Sequence, residues 1–331
     1  MFIKLFDFFR AFIYYFLLIC ITIAHCSVSE TINIYYLIIR IFGSKRKIPS
    51  MRFMAYIYSD IMYIIYKILG LNIYISKNIE IKSQKILWIS NHRSKLDGIV
   101  IQHILCICGS KVSSIIKKSV LYIPFFGIFS LVTKNILISR NLENSMNFLI
   151  NKAKKFINND KSILIFPEGA TMSLASKKKS DEFAQKNNIY ITDNLLIPRI
   201  SGYDIFKNNG EFEIIGNLTI RYPELLGNNN SHSYLNLFFM FPRKLYIDIE
   251  YLNESDVELI SLFSEKDEKI NNPIDPNLYT LFTASSDSYI NAIIFGTAIF
   301  FFFHNLTTSN LFLKFIIIIN IIGYIRTIIT Y

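Results

Sequence analysis

Between Asn72 and Phe282, short apolar runs alternate with segments of helical spacing, and this alternation confines the chain to a layered α/β architecture. Ile86–Ser90 (ILWIS), Ile136–Ser139 (ILIS), Ser162–Phe166 (SILIF) and Leu195–Ile197 (LLI) have the length and continuity of buried strands. Leu142, Met146, Leu149, Ala153 and Phe156 repeat at helical spacing between two of these runs. Strand, helix, strand at that spacing predicts a mostly parallel sheet flanked by helices. Leu218–Tyr222 and Leu245–Tyr251 alternate with period two, like strands with one wet face. At about 210 residues, this middle is long enough for one domain with its own core.

The flanks are of another kind. Ala11–Ala24 is nearly unbroken in apolar residues, follows Lys4 and Arg10, and precedes a weaker apolar stretch, Ile32–Phe42. Ala24–Ser27 makes a poor cleavage site, which favours a retained anchor over a signal peptide. Met51–Leu69 mixes Arg52, Asp60 and Lys67 with aromatics, a pattern that suits a helix in the headgroup plane, with an ordinary core helix as the alternative. Tyr289–Phe303 and Leu311–Ile329 flank a polar loop and are expected to form a C-terminal transmembrane hairpin. The expected organisation is therefore N-terminal membrane helices over 1–70, a catalytic domain over 71–282 and the hairpin over 283–331.

Composition agrees. Of 331 residues, 52% are apolar and 18% charged, below the ~25% of soluble domains, which argues against a fully soluble or disordered chain. The four cysteines include no C-x-x-C pair, so neither a disulfide framework nor a zinc ribbon is indicated. A net charge of +10 calls for acidic partners, but no nucleic-acid-binding module accompanies it. The polar middle denies a transporter its spans. Gly-x-Ser-x-Gly, P-loop and dinucleotide fingerprints are absent.

Chemistry-bearing residues cluster where the strands end. After ILWIS comes Asn91-His92-Arg93-Ser94-Lys95-Leu96-Asp97. An aspartate in the first helical turn can fold back onto one imidazole nitrogen and leave the other as a general base. After SILIF comes Pro167-Glu168-Gly169-Ala170-Thr171, followed by the basic run Lys177–Lys179. Glu168 could accept hydrogen bonds from a polyol, with Gly169 keeping the backbone close. Arg140 follows ILIS, and Pro198-Arg199 follows LLI. Open α/β sheets bind ligands beyond the carboxyl ends of their strands, and arginine forks match phosphate. Taken singly, each cluster has an ordinary counterpart: a surface histidine, a turn, a solvated arginine.

Together and in order, they resemble the 1-acyl-sn-glycerol-3-phosphate acyltransferase family of glycerolipid acyltransferases. Asn91, His92 and Asp97 match its Asn-His-x4-Asp motif; Phe166, Pro167, Glu168 and Gly169 match Phe-Pro-Glu-Gly-Thr. Arg140 matches the arginine closing the second motif, and Pro198 the proline of the fourth. The lysocardiolipin-acyltransferase-like branch is most similar, through Lys117-Lys-Ser-Val-Leu-Tyr-Ile-Pro124-Phe-Phe-Gly127 and Pro198-Arg199-Ile-Ser-Gly202. Lys95, Gly98 and Ala170 depart from that branch, and Thr171 stands next to the missing threonine.

The resemblance implies transfer of an acyl chain from acyl-CoA to the free hydroxyl of a lysophospholipid, foremost 1-acyl-sn-glycerol-3-phosphate, with lysocardiolipin or another lysophospholipid as alternatives. His92 and Asp97 would be catalytic; Asn91, Arg140, Glu168, Gly169, Thr171 and Arg199 would contact substrate. Oxyanion stabilisation is expected from backbone amides near the first motif. Acyl-CoA is a co-substrate, with no cofactor or metal. Membrane lipids are the other expected partners, without nucleic acid, and the sequence does not fix the oligomeric state. The expected location is the endoplasmic reticulum membrane, with the catalytic domain facing the cytosol. A structural membrane adaptor retaining the fold is the non-enzymatic alternative.

Overall fold

The computed structural model describes residues 51–77, 85–122, 133–138, 147–151, 153–154, 161–212, 214–225, 242–253 and 257–286, and the single positions 12, 81, 130, 255 and 290. Apart from Phe12 and Ile290, the expected anchor Ala11–Ala24 and the expected hairpin Tyr289–Ile329 lie outside these residues, as does Arg140. Among the described residues, no helix is long and apolar enough to cross a membrane.

The chain divides into two compact units. Described residues of the smaller one are 51–65, from helix α1 (Met51–Ile68), positions 12, 284–286 and 290, and parts of 118–135, where Asn135 N–H closes a turn on the Ser130 carbonyl at 2.8 Å. Residues 59–63 of α1 are all buried, Asp60 included.

The larger unit holds one eight-stranded sheet. Its strands are β1 (Asn72–Ser76), β2 (Ile86–Ser90), β3 (Val112–Lys117), β4 (Ile136–Ile138), β5 (Ser162–Ile165), β6 (Ile214–Arg221), β7 (Lys244–Asn253) and β8 (Tyr279–Leu281). Their order is β4-β3-β5-β2-β6-β7-β1-β8. The first five in that order run parallel, β7 pairs antiparallel with β6, β1 runs parallel to β7, and β8 closes the edge antiparallel to β1. The expected mostly parallel α/β sheet is therefore observed. β2 lies between β5 and β6 with all five residues buried, which is why ILWIS reads as one apolar run with no alternation.

Helices α2 (Asp97–Ile107), α3 (Leu174–Lys186), α4 (Ile200–Gly210) and α5 (Leu259–Asn271) complete the unit. α3 starts where the Ser173 side chain accepts the Ser176 N–H at 3.1 Å, and α5 where Glu258 accepts those of Ile260 and Ser261. Residues 147–151 and 153–154 are helical, within the segment where helical spacing was read.

Two strand expectations need correction. Leu195–Ile197 is buried but irregular: Leu196 N–H goes to Glu168 and Ile197 N–H to Ser180 Oγ, so side chains take the place of a ladder. β6 lacks the expected wet face, and on the expected polar face of β7 (Tyr246, Asp248, Glu250) Glu250 alone is exposed. Asn217, Thr219, Arg221 and Asp248 are all buried. Arg221 pairs with Asp248 at 3.2 Å and Tyr279 Oη donates to Asp248 at 2.7 Å, so polar residues neutralise one another inside the fold.

One buried group makes the fold acid-sensitive. His103 on α2 is 1% exposed, its Nδ1 2.9 Å from Tyr66 Oη, and burial pushes its pKa from 6.5 to about 3. Between those values the unfolded chain binds more protons than the folded one. The stabilisation is whole above pH 6.5 and is lost as the pH falls toward 3. Replacing His103 with Gln is expected to flatten unfolding free energy across that window, measured by urea titration at successive pH values.

Candidate active site

β2 delivers Asn91 and His92 to the edge of the sheet, and α2 begins five residues on with Asp97 as its first residue. His92 Nδ1 lies 3.0 Å from Asp97 Oδ2. The same oxygen accepts the N–H groups of Arg93 and Ser94, each at 2.6 Å, and Oδ1 accepts Tyr222 Oη–H at 2.8 Å. Asp97 is thus a fully buried carboxylate held by three donors besides the imidazole, at the favourable end of a helix dipole. With Nδ1 donating to it, the imidazole keeps its lone pair on Nε2, the arrangement of a general base. The ring packs on Phe166 with centroids 4.6 Å apart and keeps one fifth of its surface open. Gly98, a departure from the resembled branch, also lies against Phe166; a Cβ there would meet its ring at 3.6 Å.

Glu168 comes from the turn after β5. It is 2% exposed, and its oxygens accept the N–H of His92 at 2.6 Å and of Leu196 at 2.9 Å. Burial pushes its carboxyl up to about 8, against the pull of these two amides and of Arg93. Where a polyol contact was expected, the structure shows a brace that joins the backbone of the base to the 194–197 segment. Asn91 also differs from its expected substrate role. Fully buried, it donates to the Ile220 carbonyl at 3.0 Å and accepts the Ile220 N–H at 2.8 Å, tying β2 to the end of β6. The backbone amides expected to stabilise an oxyanion are taken as well: those of residues 92, 93 and 94 go to Glu168 and Asp97, and Leu96 N–H to Ser94 Oγ.

Gly169 is exposed with φ +66°, and Arg199 lies over it: a Cβ there would sit 3.4 Å from Arg199 Cδ and Nε. The Arg199 N–H donates to the Pro167 carbonyl at 2.8 Å, and the side chain is exposed, so an arginine does border the turn. Replacing Gly169 with Ala is expected to cost ~1–2 kcal/mol for the left-handed backbone and to shift the guanidinium. Chemical denaturation would check the first effect and the KM for the acceptor the second. Thr171 is buried, and its carbonyl accepts Ser176 Oγ–H at 3.0 Å. Of the basic run, Lys177 is buried and paired with Asp181, leaving Lys178 and Lys179 exposed. Lys95 is half-buried, its ammonium lowered by burial and by Lys117 and drawn back up by Asp97, which places positive charge beside the dyad.

The structure therefore gathers His92, Asp97, Glu168, Gly169 and Arg199, and puts Asn91 behind them. Reading the motifs missed three supports. Tyr222 ends a strand that had been read, so the strand-end rule could have found it. Arg93 is 3% exposed and donates to the carbonyls of Asn194 and Leu225. Asp267, also buried, accepts the N–H of Asp193 and Asn194.

Residues 71–191 match the Acyltransferase family model. Lysocardiolipin acyltransferase 1 of Danio rerio is 25% identical over 202 residues, covering 57% of this chain and 50% of the relative. The 1-acyl-sn-glycerol-3-phosphate acyltransferase of Haemophilus influenzae is 34% identical over 84 residues, covering 25% of this chain and 34% of the relative. The crystal structure of the 1-acyl-sn-glycerophosphate (LPA) acyltransferase PlsC from Thermotoga maritima aligns with a TM-score of 0.48 at 13% identity, over 81% of this chain and 95% of that one. The chain spans about half the length of the lysocardiolipin acyltransferases it matches. His92, Asp97 and Glu168 all fall inside the segment, residues 71–191, that matches the Acyltransferase family model.

Proposed function

We propose that the protein transfers an acyl chain from acyl-CoA to the free hydroxyl of a lysophospholipid, with 1-acyl-sn-glycerol-3-phosphate as acceptor and phosphatidic acid as product. The observation that carries this reading is the His92–Asp97 pair, with Nδ1 engaged at 3.0 Å and a partly open ring, inside the segment that matches the Acyltransferase family model. His92 Nε2 takes the hydroxyl proton as that oxygen attacks the thioester carbonyl, and Asp97 steadies the imidazolium that results. The proton then passes to the departing thiolate, giving free CoA; the thioester is already activated, so no acyl-enzyme is required. Arg199 at the Gly169 turn, Lys95 beside the dyad and Arg140 supply positive charge for the phosphates of acceptor and coenzyme.

Lysocardiolipin is the second reading, supported by relatives of that name that match over about half of the chain. Either acceptor puts the reaction at a membrane surface, in this proposal that of the endoplasmic reticulum with the domain on the cytosolic side. The deciding experiment is a labelled acyl-CoA transfer assay on isolated membranes with lysophosphatidate, lysocardiolipin and lysophosphatidylinositol. Product from lysophosphatidate above the others is expected; no product from any acceptor would overturn acyl transfer itself. An epitope at exposed Lys178 is expected to be digested by protease added outside sealed microsomes.

A further inference from the structure

Helix α5 lies outside the segment matched by the family model, yet it carries two adjacent buried charges of opposite sign that reach different walls of the site. Asp267 accepts the N–H of Asp193 at 2.6 Å and of Asn194 at 2.7 Å. It thereby fixes the segment whose Leu196 N–H meets Glu168 and whose Asn194 carbonyl holds Arg93. Lys266 is 2% exposed, and its Nζ donates to the carbonyls of Ile89 at 3.2 Å and Leu218 at 2.8 Å. Those carbonyls lie on the adjacent strands β2 and β6, shortly before His92 and Tyr222, so one ammonium joins the two strand ends that carry the base and a support of its aspartate.

Two neutral carbonyls do not require a cation, and burying an ammonium is costly unless charge balances it. Burial brings Lys266 down to about 7, and the groups acting on it are Glu168 and Glu250, which favour its charge, and Lys269 on its own helix, which opposes it. Glu168 heads that list and faces Arg93 and Asp97 in turn. Charged or neutral, the Lys266 amine carries enough N–H donors for both carbonyls, so the brace does not depend on its charge.

We propose that Lys266 is a positioning residue for His92: its two bonds to backbone carbonyls hold together the ends of β2 and β6 that carry His92 and Tyr222. This role rests on the acyl-transfer reading, so one measurement is made without substrate. Two variants of the full chain separate the functions of the side chain. Lys266→Gln keeps N–H donors and removes the charge; Lys266→Met removes both. In Lys266→Met, which loses the donors, kcat is expected to fall about tenfold with KM within about twofold, and Lys266→Gln should retain most of the activity. Hydrogen exchange of peptides spanning residues 90–94 and 218–222 should quicken about tenfold in Lys266→Met, with or without an active acceptor.

A folded Lys266→Met protein with unchanged kcat and unchanged exchange would overturn the proposal, as would a loss confined to KM. If neither variant folds, Lys266 is a stability element and the proposal is likewise wrong. If the wild type acylates no lysolipid, the acyl-transfer reading fails and the exchange data alone decide whether Lys266 positions the strand end that carries His92.

Discussion

Replacing His92 with Ala is expected to lower acyl transfer about a thousandfold while leaving the fold in place. The magnitude follows from losing a positioned general base, which contributes 10²–10⁴-fold. The preserved fold follows from the surroundings. The ring is partly open, and its removal leaves Asp97 with the Arg93 and Ser94 N–H groups and the Tyr222 hydroxyl, so no buried charge is stranded. Asp97→Asn should behave differently. Its amide would turn an N–H₂ toward one set of these donors, so activity and stability fall together. The paired measurement is product formation on membranes beside the melting temperature of each variant. Equal product from wild type and His92→Ala would remove the catalytic assignment and leave the membrane-adaptor reading standing.

Gly216→Ala should produce the largest stability loss of any single-methyl addition described for this fold. Gly216 on β6 pairs with Trp88 on β2, and a Cβ there would lie 2.1 Å from Trp88 Cε3 and 2.4 Å from Cζ3. Trp88 is fully buried at the middle of the sheet and rests against Tyr251, with ring centroids 5.8 Å apart, so the indole has nowhere to retreat. Overpacking costs 1–3 kcal/mol and occasionally more, and this site belongs at about 3 kcal/mol. For a domain of this size that lowers the melting temperature by roughly 6–12 °C. Ala in place of Gly inside a strand ordinarily stabilises by ~0.5–1 kcal/mol, so the sign of the change tests the contact. Adding Trp88→Leu should restore part of the loss, a coupling that a double-mutant cycle would measure. A Gly216→Ala protein as stable as wild type would show that Trp88 does not occupy this position.

The amino-acid sequence shows the parallel core and the dyad because both depend on neighbours along the chain. β2 is apolar on both faces, and His92 and Asp97 are five residues apart across a strand-to-helix junction, so local pattern suffices. It shows Glu168 as a residue but not as a brace, since both of its partners are backbone amides that any residue could supply. Asn91 shows the complementary limit: a polar side chain at a strand end can turn inward to another strand as easily as outward to a ligand. Lys266 and Asp267 stand in Ser264-Glu-Lys-Asp-Glu-Lys269, which reads as the wet face of a helix. Their burial comes from strands far away in sequence. Asp248 in β7 likewise reads as solvent-facing until Arg221 and Tyr279 are placed against it.

The supports of the dyad are long-range. Asn91 meets Ile220 across 129 residues, Tyr222 meets Asp97 across 125, and Lys266 meets Ile89 across 177. Contacts of such sequence separation form late, because the loops they close are entropically expensive. A nascent chain that has emerged only as far as β6 would already display every motif of the matched segment and still lack α5. Catalytic competence should therefore be the last property to return on refolding, lagging behind helix content and sheet burial. Regain of acyl transfer can then serve as a clock for completion of the whole domain and not merely of the segment that carries the motifs.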